Sequence, residues 1–218
     1  MILAIQKPRG WTSFDVVEKV RSVTGEKKVG HAGTLDPFAE GLLVVGVGRE
    51  STQRLSHIAQ QEKEYRARIR LGISTDTLDT EGNVVTRKPV PPLTRSRIEK
   101  VFKSFTGTIQ QVPPMYSAKK VGGTRLYELA RENKEIPRRP ATVTIKELTL
   151  EDFTQKTIRF SVVCSKGTYI RQLGADVAQA LGTVGYLEAL TRIRIGNITL
   201  KECHSLQDLE QQWLSIAE

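Results

Sequence analysis

The 218-residue sequence predicts an α+β protein built on a mixed, mostly antiparallel sheet flanked by helices. Three observations carry that expectation. In EYRARIRL, Tyr65, Ala67, Ile69 and Leu71 alternate strictly with Arg66, Arg68 and Arg70, the pattern of a strand with one apolar face. Apolar residues also recur at helical spacing, in two cases just behind a capping hydroxyl. Strand-like and helix-like stretches are interspersed without a regular βαβ repeat, which disfavours a doubly wound parallel sheet.

Taken in order, residues 2 to 6 read as a strand, followed by KPRGWTS and a helix with Val16, Val17 and Val20 on one face, capped by Thr12 or Ser13. A glycine-rich loop, GHAGTLDP, separates that helix from a strand at 42 to 48, LLVVGVG. After EYRARIRL, the segment TDTLDTEG at 75 to 82 reads as a loop or hairpin turn. Thr94 caps a helix whose Ile98, Val101, Phe102 and Phe105 share a face. Residues 113 to 140, broken by Pro and Gly, read as loops around a short helix near 124 to 132. Strands are expected at 142 to 150 and 156 to 164, the second with Ile158, Phe160, Val162 and Cys164 inward. A helix follows from about Tyr169, with Ile170, Leu173, Val177 and Leu181 on one side and Gly182 as its stop. A strand near 191 to 200 and a helix bearing Leu206, Leu209, Trp213 and Ile216 end the sequence.

Composition narrows the function. Apolar residues at 39% suffice for a sizeable core, and 33 Lys and Arg against 24 Asp and Glu favour a polyanionic partner such as nucleic acid. No apolar run approaches the roughly 20 residues of a bilayer span, and Lys7 and Pro8 interrupt the start too early for a secretory segment. A soluble, cytoplasmic protein is expected. Cys164 and Cys203 stand far apart without a CxxC pattern, which indicates neither zinc nor a disulfide framework, and Cys164 continues a strand alternation as a core residue.

Chemistry concentrates in GHAGTLDPFAEG, where His31, Asp36 and Glu40 fall within ten residues among glycines at 30, 33 and 41. Spacing alone fits Asp36 at least as well to the turn residue before Pro37 as to a catalytic carboxylate. Asp36 and Glu40, four apart, could also share a helical face as the carboxylate pair of a glycoside hydrolase. Gly46 and Gly48 are weak evidence for a dinucleotide site, because GVGRES lacks both a third glycine and a helical continuation. Asp76 and Asp79 read as turn hydrogen bonders in a hydroxyl-rich, Gly-ended segment, and not as metal ligands.

Several motifs together change the weighting of Asp36. KPxGxTS at 7 to 13, GHxGTLDP at 30 to 37, KEYRARIRLG at 63 to 72, TDTxDxxG at 75 to 82, PPMYSA at 113 to 118, KGTYIR at 166 to 171 and LTR at 190 to 192 resemble, in order, the motifs of the TruB family of pseudouridine synthases. The resemblance spans about residues 3 to 200. It implies the pseudouridine synthase fold with a central catalytic cleft. The implied activity is isomerisation of uridine to pseudouridine at position 55 in the T-loop of tRNA. A catalytically silent RNA-binding or RNA-folding module of the same fold is the alternative.

The resemblance also implies roles. Asp36 is the nucleophile, attacking either the ribose C1′ or the uracil C6. Arg171 is the cation that keeps Asp36 charged and oriented. Tyr65 packs against the target base, with a possible proton-moving role at carbon 5. Tyr169 and Leu190 line the uracil pocket. His31 fills the space behind a flipped-out nucleotide. Lys119, Lys120, Arg125, Arg138 and Arg139 form a basic patch for tRNA phosphates. No cofactor or metal is called for, since the reaction has no net redox change and consumes no activating nucleotide. The implied partner is the T-arm of tRNA, with no membrane, no obligatory protein partner and a monomeric state. Residues 1 to 218 are expected to form a single catalytic domain without the C-terminal PUA-type domain of many bacterial members. Thr191 departs from an arginine common in the family and removes one phosphate contact.

Overall fold

The computed structural model describes residues 1–117, 120–121, 123–131 and 136–217. Its elements run β1 (Ile2–Lys7), α1 (Ser13–Thr24), β2 (Val29–His31), β3 (Glu40–Val47), α2 (Arg49–Gln60), β4 (Lys63–Leu71), β5 (Ile73–Thr75), β6 (Val84–Arg87), α3 (Arg95–Phe105) and β7 (Gly107–Gln111). They continue with β8 (Lys120–Val121), β9 (Thr124–Arg125), α4 (Leu126–Arg131), β10 (Ala141–Phe153), β11 (Thr157–Cys164), α5 (Ile170–Ala180), β12 (Gly185–Ile195), β13 (Ile198–Thr199), a 3-10 turn (Leu200–Glu202) and α6 (Leu206–Ala217). The fold is α+β with mixed, mostly antiparallel strand pairing, as the interspersed elements predict. No helix among the described residues is long and apolar enough to cross a membrane.

Two compact units divide the chain, one of Met1–Arg66 with Leu190–Glu218 and the other of Ala67–Ala189. In the first, strands run in the order β1-β3-β12, β2 also pairs β3, and β13 pairs β12. The β3–β12 pairing is parallel, Thr191 opposite Glu40 and Arg192 opposite Gly41, and the β1–β3 and β2–β3 pairings are antiparallel. The near-continuous apolar run of β3 follows from burial on both faces. Leu43, Val45 and Val47 pack with Val16, Val17 and Val20 of α1 and Leu209 of α6, whereas Leu42 and Val44 pack with Leu55 of α2.

Thr12 caps α1 through a reciprocal box: its hydroxyl accepts from the Asp15 amide at 3.0 Å, and the Asp15 carboxylate accepts from the Thr12 amide at 2.7 Å. Helix α2 is absent from the sequence expectation. Only Ser51 and Leu55 of its twelve residues are buried, too thin a stripe to announce a helix. It also corrects the reading of GVGRES, since a helix does begin right after Gly48; the missing third glycine still stands against a dinucleotide site.

The second unit orders its strands β4-β11-β10-β7, with β5-β6 and β8-β9 as separate hairpins. TDTLDTEG connects β5 to β6, as its turn chemistry predicts. Ile98 and Phe102 of α3 are buried, and the Phe102 ring meets Phe160 of β11 edge-on with centroids 5.8 Å apart. Helix α5 lies close to its neighbours because two positions lack side chains. A Cβ on Gly174 would come within 2.8 Å of Leu187, and one on Gly185 within 2.8 Å of Ala178. The final strand differs from expectation: β12 starts at Gly185, ends at Ile195 and turns back through Gly196, at φ +55, into β13.

Candidate active site

In the first unit the Asp36 loop joins two paired strands, His31 of β2 standing opposite Val45 of β3. It is held by its backbone on both sides of the carboxylate. Ahead of Asp36, Ser13 at the start of α1 makes a two-way tie with Leu35, its hydroxyl accepting from the Leu35 amide at 2.8 Å and donating to the Leu35 carbonyl at 3.1 Å. Behind it, the Gly10 amide donates to the Pro37 carbonyl at 2.8 Å, and the fully buried Lys7 ammonium lies 3.4 Å from the same oxygen. Lys7 also donates to the carbonyls of Pro8 and Trp11, so KPxGxTS braces GHAGTLDP. Leu35, Phe38 and Ala39 are buried, and Asp36 between them is half-buried.

That geometry decides two of the open readings. Asp36 does occupy a turn, its carbonyl accepting from the Ala39 amide at 3.1 Å. Asp36 and Glu40 share no helical face, because the turn ends at Ala39 and Glu40 opens β3, where it accepts from the Thr191 hydroxyl at 3.2 Å. The paired-carboxylate arrangement of a glycoside hydrolase therefore loses its geometric basis.

His31 is half-buried, and its Nδ1 finds no hydrogen-bond partner among the described residues. Burial pushes its pKa below the ordinary imidazole value, the nearby Arg192 charge adds to this, and a hydrogen bond with the Gly33 backbone opposes it. Tyr65 is buried in β4 at 7% exposure, and Leu190 is buried in β12. Both fit a core role as well as a pocket wall.

In the second unit the start of α5 presents Tyr169 and Arg171. Gln111, buried at the end of β7, brackets Tyr169, its side-chain oxygen accepting from the Tyr169 amide at 2.8 Å and its amide donating to the Tyr169 carbonyl at 3.0 Å. Arg171 is 4% exposed. It donates to the Tyr116 carbonyl at 2.7 Å and to the Thr77 carbonyl, and lies 3.5 Å from the Asp79 carboxylate. Asp79 also accepts from the Thr77 hydroxyl at 2.5 Å and the Glu81 amide at 2.9 Å. The turn reading of Asp79 thus holds but is incomplete, since it is also the carboxylate beside a buried guanidinium.

Sequence reasoning singles out neither Gln111 nor Arg192, and it marks Asp79 only as a turn residue. TDTxDxxG was a signal for Asp79 and LTR for Arg192, while nothing in the sequence marked Gln111. Of the basic patch, Arg139 is exposed and Arg138 donates to the Pro113 carbonyl at 3.1 Å. Lys119 and the side chains of Lys120 and Arg125 lie outside the described residues. No cluster of three or more His, Cys, Asp or Glu among the described residues is arranged to hold a metal ion.

The fold is shared with a class of RNA-modifying enzymes. The crystal structure of a Cbf5-Nop10-Gar1 complex contains a chain that superposes with a TM-score of 0.78 at 27% identity, over 100% of this chain and 55% of that one. Residues 21–170 match the TruB family pseudouridylate synthase N-terminal domain. Over its whole length the chain is 45% identical to tRNA pseudouridine synthase B of Parabacteroides distasonis, of which it covers 96%. It is likewise 45% identical to tRNA pseudouridine synthase B of Hydrogenovibrio crunogenus, over 96% of this chain and 69% of that protein. The chain therefore belongs to the TruB family of pseudouridine synthases.

Proposed function

We propose that this protein converts uridine to pseudouridine at position 55 in the T-loop of tRNA. The observation that carries this reading is the loop presenting Asp36, tied by its backbone to Ser13 and Gly10 on either side of the carboxylate. A nucleophile must be aligned with one carbon of its substrate, and a loop fixed on both flanks suits that task. The excess of Lys and Arg and the names of the relatives, tRNA pseudouridine synthase B, support tRNA as the partner.

In this reading the nucleotide flips out of the T-loop at a cost of a few kcal/mol, and His31 stacks in the space it leaves. Asp36 attacks ribose C1′ or uracil C6, the N-glycosidic bond breaks, and the base turns without leaving. Carbon 5 then bonds to C1′ and loses its proton, the bond to Asp36 breaks to free the carboxylate, and N1 ends protonated. Arg171 keeps Asp36 ionised, Tyr65 packs against the base, and Tyr169 and Leu190 complete the pocket. Atoms balance within one nucleotide, so no cofactor enters. We read residues 1 to 218 as one catalytic domain acting as a monomer in the cytoplasm.

A T-arm transcript incubated with the wild type should gain one pseudouridine, located by mass spectrometry, and Asp36→Asn should form it on the order of 10⁴-fold more slowly. Binding by the wild type without isomerisation would leave the RNA-binding alternative in place of the enzyme.

A further inference from the structure

We infer that Arg192 is a positioning residue for this reaction, its buried guanidinium fixing the path of the backbone that carries Asp36. The inference rests on the reading of Asp36 as the nucleophile. Arg192 is 1% exposed in the C-terminal half of β12. Its Nε donates to the Leu42 carbonyl at 2.8 Å, Nη2 to the Gly33 carbonyl at 3.0 Å and Nη1 to the Thr34 carbonyl at 3.4 Å. Gly33 and Thr34 lie on the arm of the loop approaching Asp36, and Leu42 lies on the strand that leaves it. One planar group spans both arms.

A glycine lets the Arg192 backbone pack this close to β3, and a second lies beside the guanidinium. Gly41 stands opposite Arg192 in the parallel pairing at φ +105, and a Cβ there would meet the Arg192 carbonyl at 2.4 Å. Gly33, at φ +94, would set a Cβ 3.7 Å from Nη1. Among the described residues no carboxylate lies within ion-pair distance of Arg192, so the buried charge is met by carbonyl dipoles alone. Burying a cation this way is costly for stability, and an apolar residue would fill the strand position at less cost. What the guanidinium supplies is a rigid fork of donors with fixed angles, which neither an ammonium nor an amide reproduces.

The test compares Arg192→Gln and Arg192→Lys with the wild type in three measurements: single-turnover pseudouridine formation on a T-arm transcript, affinity for that RNA, and amide hydrogen exchange of residues 31 to 39 in the free protein. In Arg192→Gln the single-turnover rate should fall by about 100-fold, the scale of a nucleophile displaced by an ångström. Affinity should hold and exchange at the Leu35 amide should accelerate. Arg192→Lys keeps the charge but not the span, so its rate should fall between the two, and it decides the matter if the glutamine variant does not fold. A folded variant with wild-type rate and wild-type exchange overturns the inference. So does a rate loss matched by an equal loss of affinity. If the wild type makes no pseudouridine, the catalytic reading fails by itself, and exchange still decides whether Arg192 holds the loop.

Discussion

Among the described residues each unit buries one arginine beside its candidate site residues, and the two are neutralised differently. Arg171, in the second unit, has the Asp79 carboxylate at 3.5 Å as well as two carbonyls, whereas Arg192, in the first, is met by three carbonyls. A carboxylate beside a guanidinium steadies the guanidinium itself. Three carbonyls around a guanidinium steady the backbone that bears them. The first arrangement suits a side chain that must be presented, and the second suits a loop that must be aimed.

The largest effect expected from this contrast is at Asp36, whose neighbours are held for it. Asp36→Asn should lower product formation on the order of 10⁴-fold, the scale for removing one member of a catalytic set. Its unfolding free energy should stay within about 0.5 kcal/mol of the wild type. A comparable loss of stability would mean that the carboxylate is itself part of the brace. Asp79→Ala should do the reverse for its unit, costing about 3 kcal/mol in urea unfolding because a buried guanidinium loses its adjacent carboxylate. An unchanged midpoint would break the contrast between the two arginines.

Gly41→Ala tests the other side. With φ +105 and a 2.4 Å approach to the Arg192 carbonyl, it should cost about 2 kcal/mol or more. Gly48→Ala, at φ +86 and ψ 161 with nothing within 4 Å, should cost about 1–2 kcal/mol, the conformational penalty alone. The smallest effect belongs to His31. Its folded pKa is lowered from 6.5, so between the folded value and 6.5 the unfolded chain binds more protons. Its contribution to stability is complete above 6.5 and is lost as pH falls through that window. Urea midpoints at pH 7.5 and 5.5 should therefore differ less in His31→Gln than in the wild type, and an equal difference would mean that the imidazole does not titrate differently on folding.

Local pattern carried much of the fold and only part of the site. The alternation of Tyr65, Ala67, Ile69 and Leu71 reads directly as β4, since all four are buried, and Thr12 announces α1 through its cap. Helix α2 escaped because Leu55 is its one large buried side chain and Gly48 offers no side-chain cap. Asp36 was visible through its glycine-rich setting and the family motif. Asp79 and Arg192 were not, for a physical reason: each acts on residues far along the chain. Asp79 reads locally as a turn residue, and a charged residue at a buried strand position runs against the pattern by which strands are recognised.

The brace on the Asp36 loop also has a timetable. Gly33 and the guanidinium that holds its carbonyl are 159 residues apart. At roughly 5–20 residues per second, the arginine leaves the ribosome on the order of 10 to 30 seconds after the glycine. During that interval the nascent chain carries its carboxylate on a loop with one tie missing. A chain interrupted before residue 192 carries every residue from His31 to Arg171 and still lacks the donors that the Gly33, Thr34 and Leu42 carbonyls accept from in the folded protein.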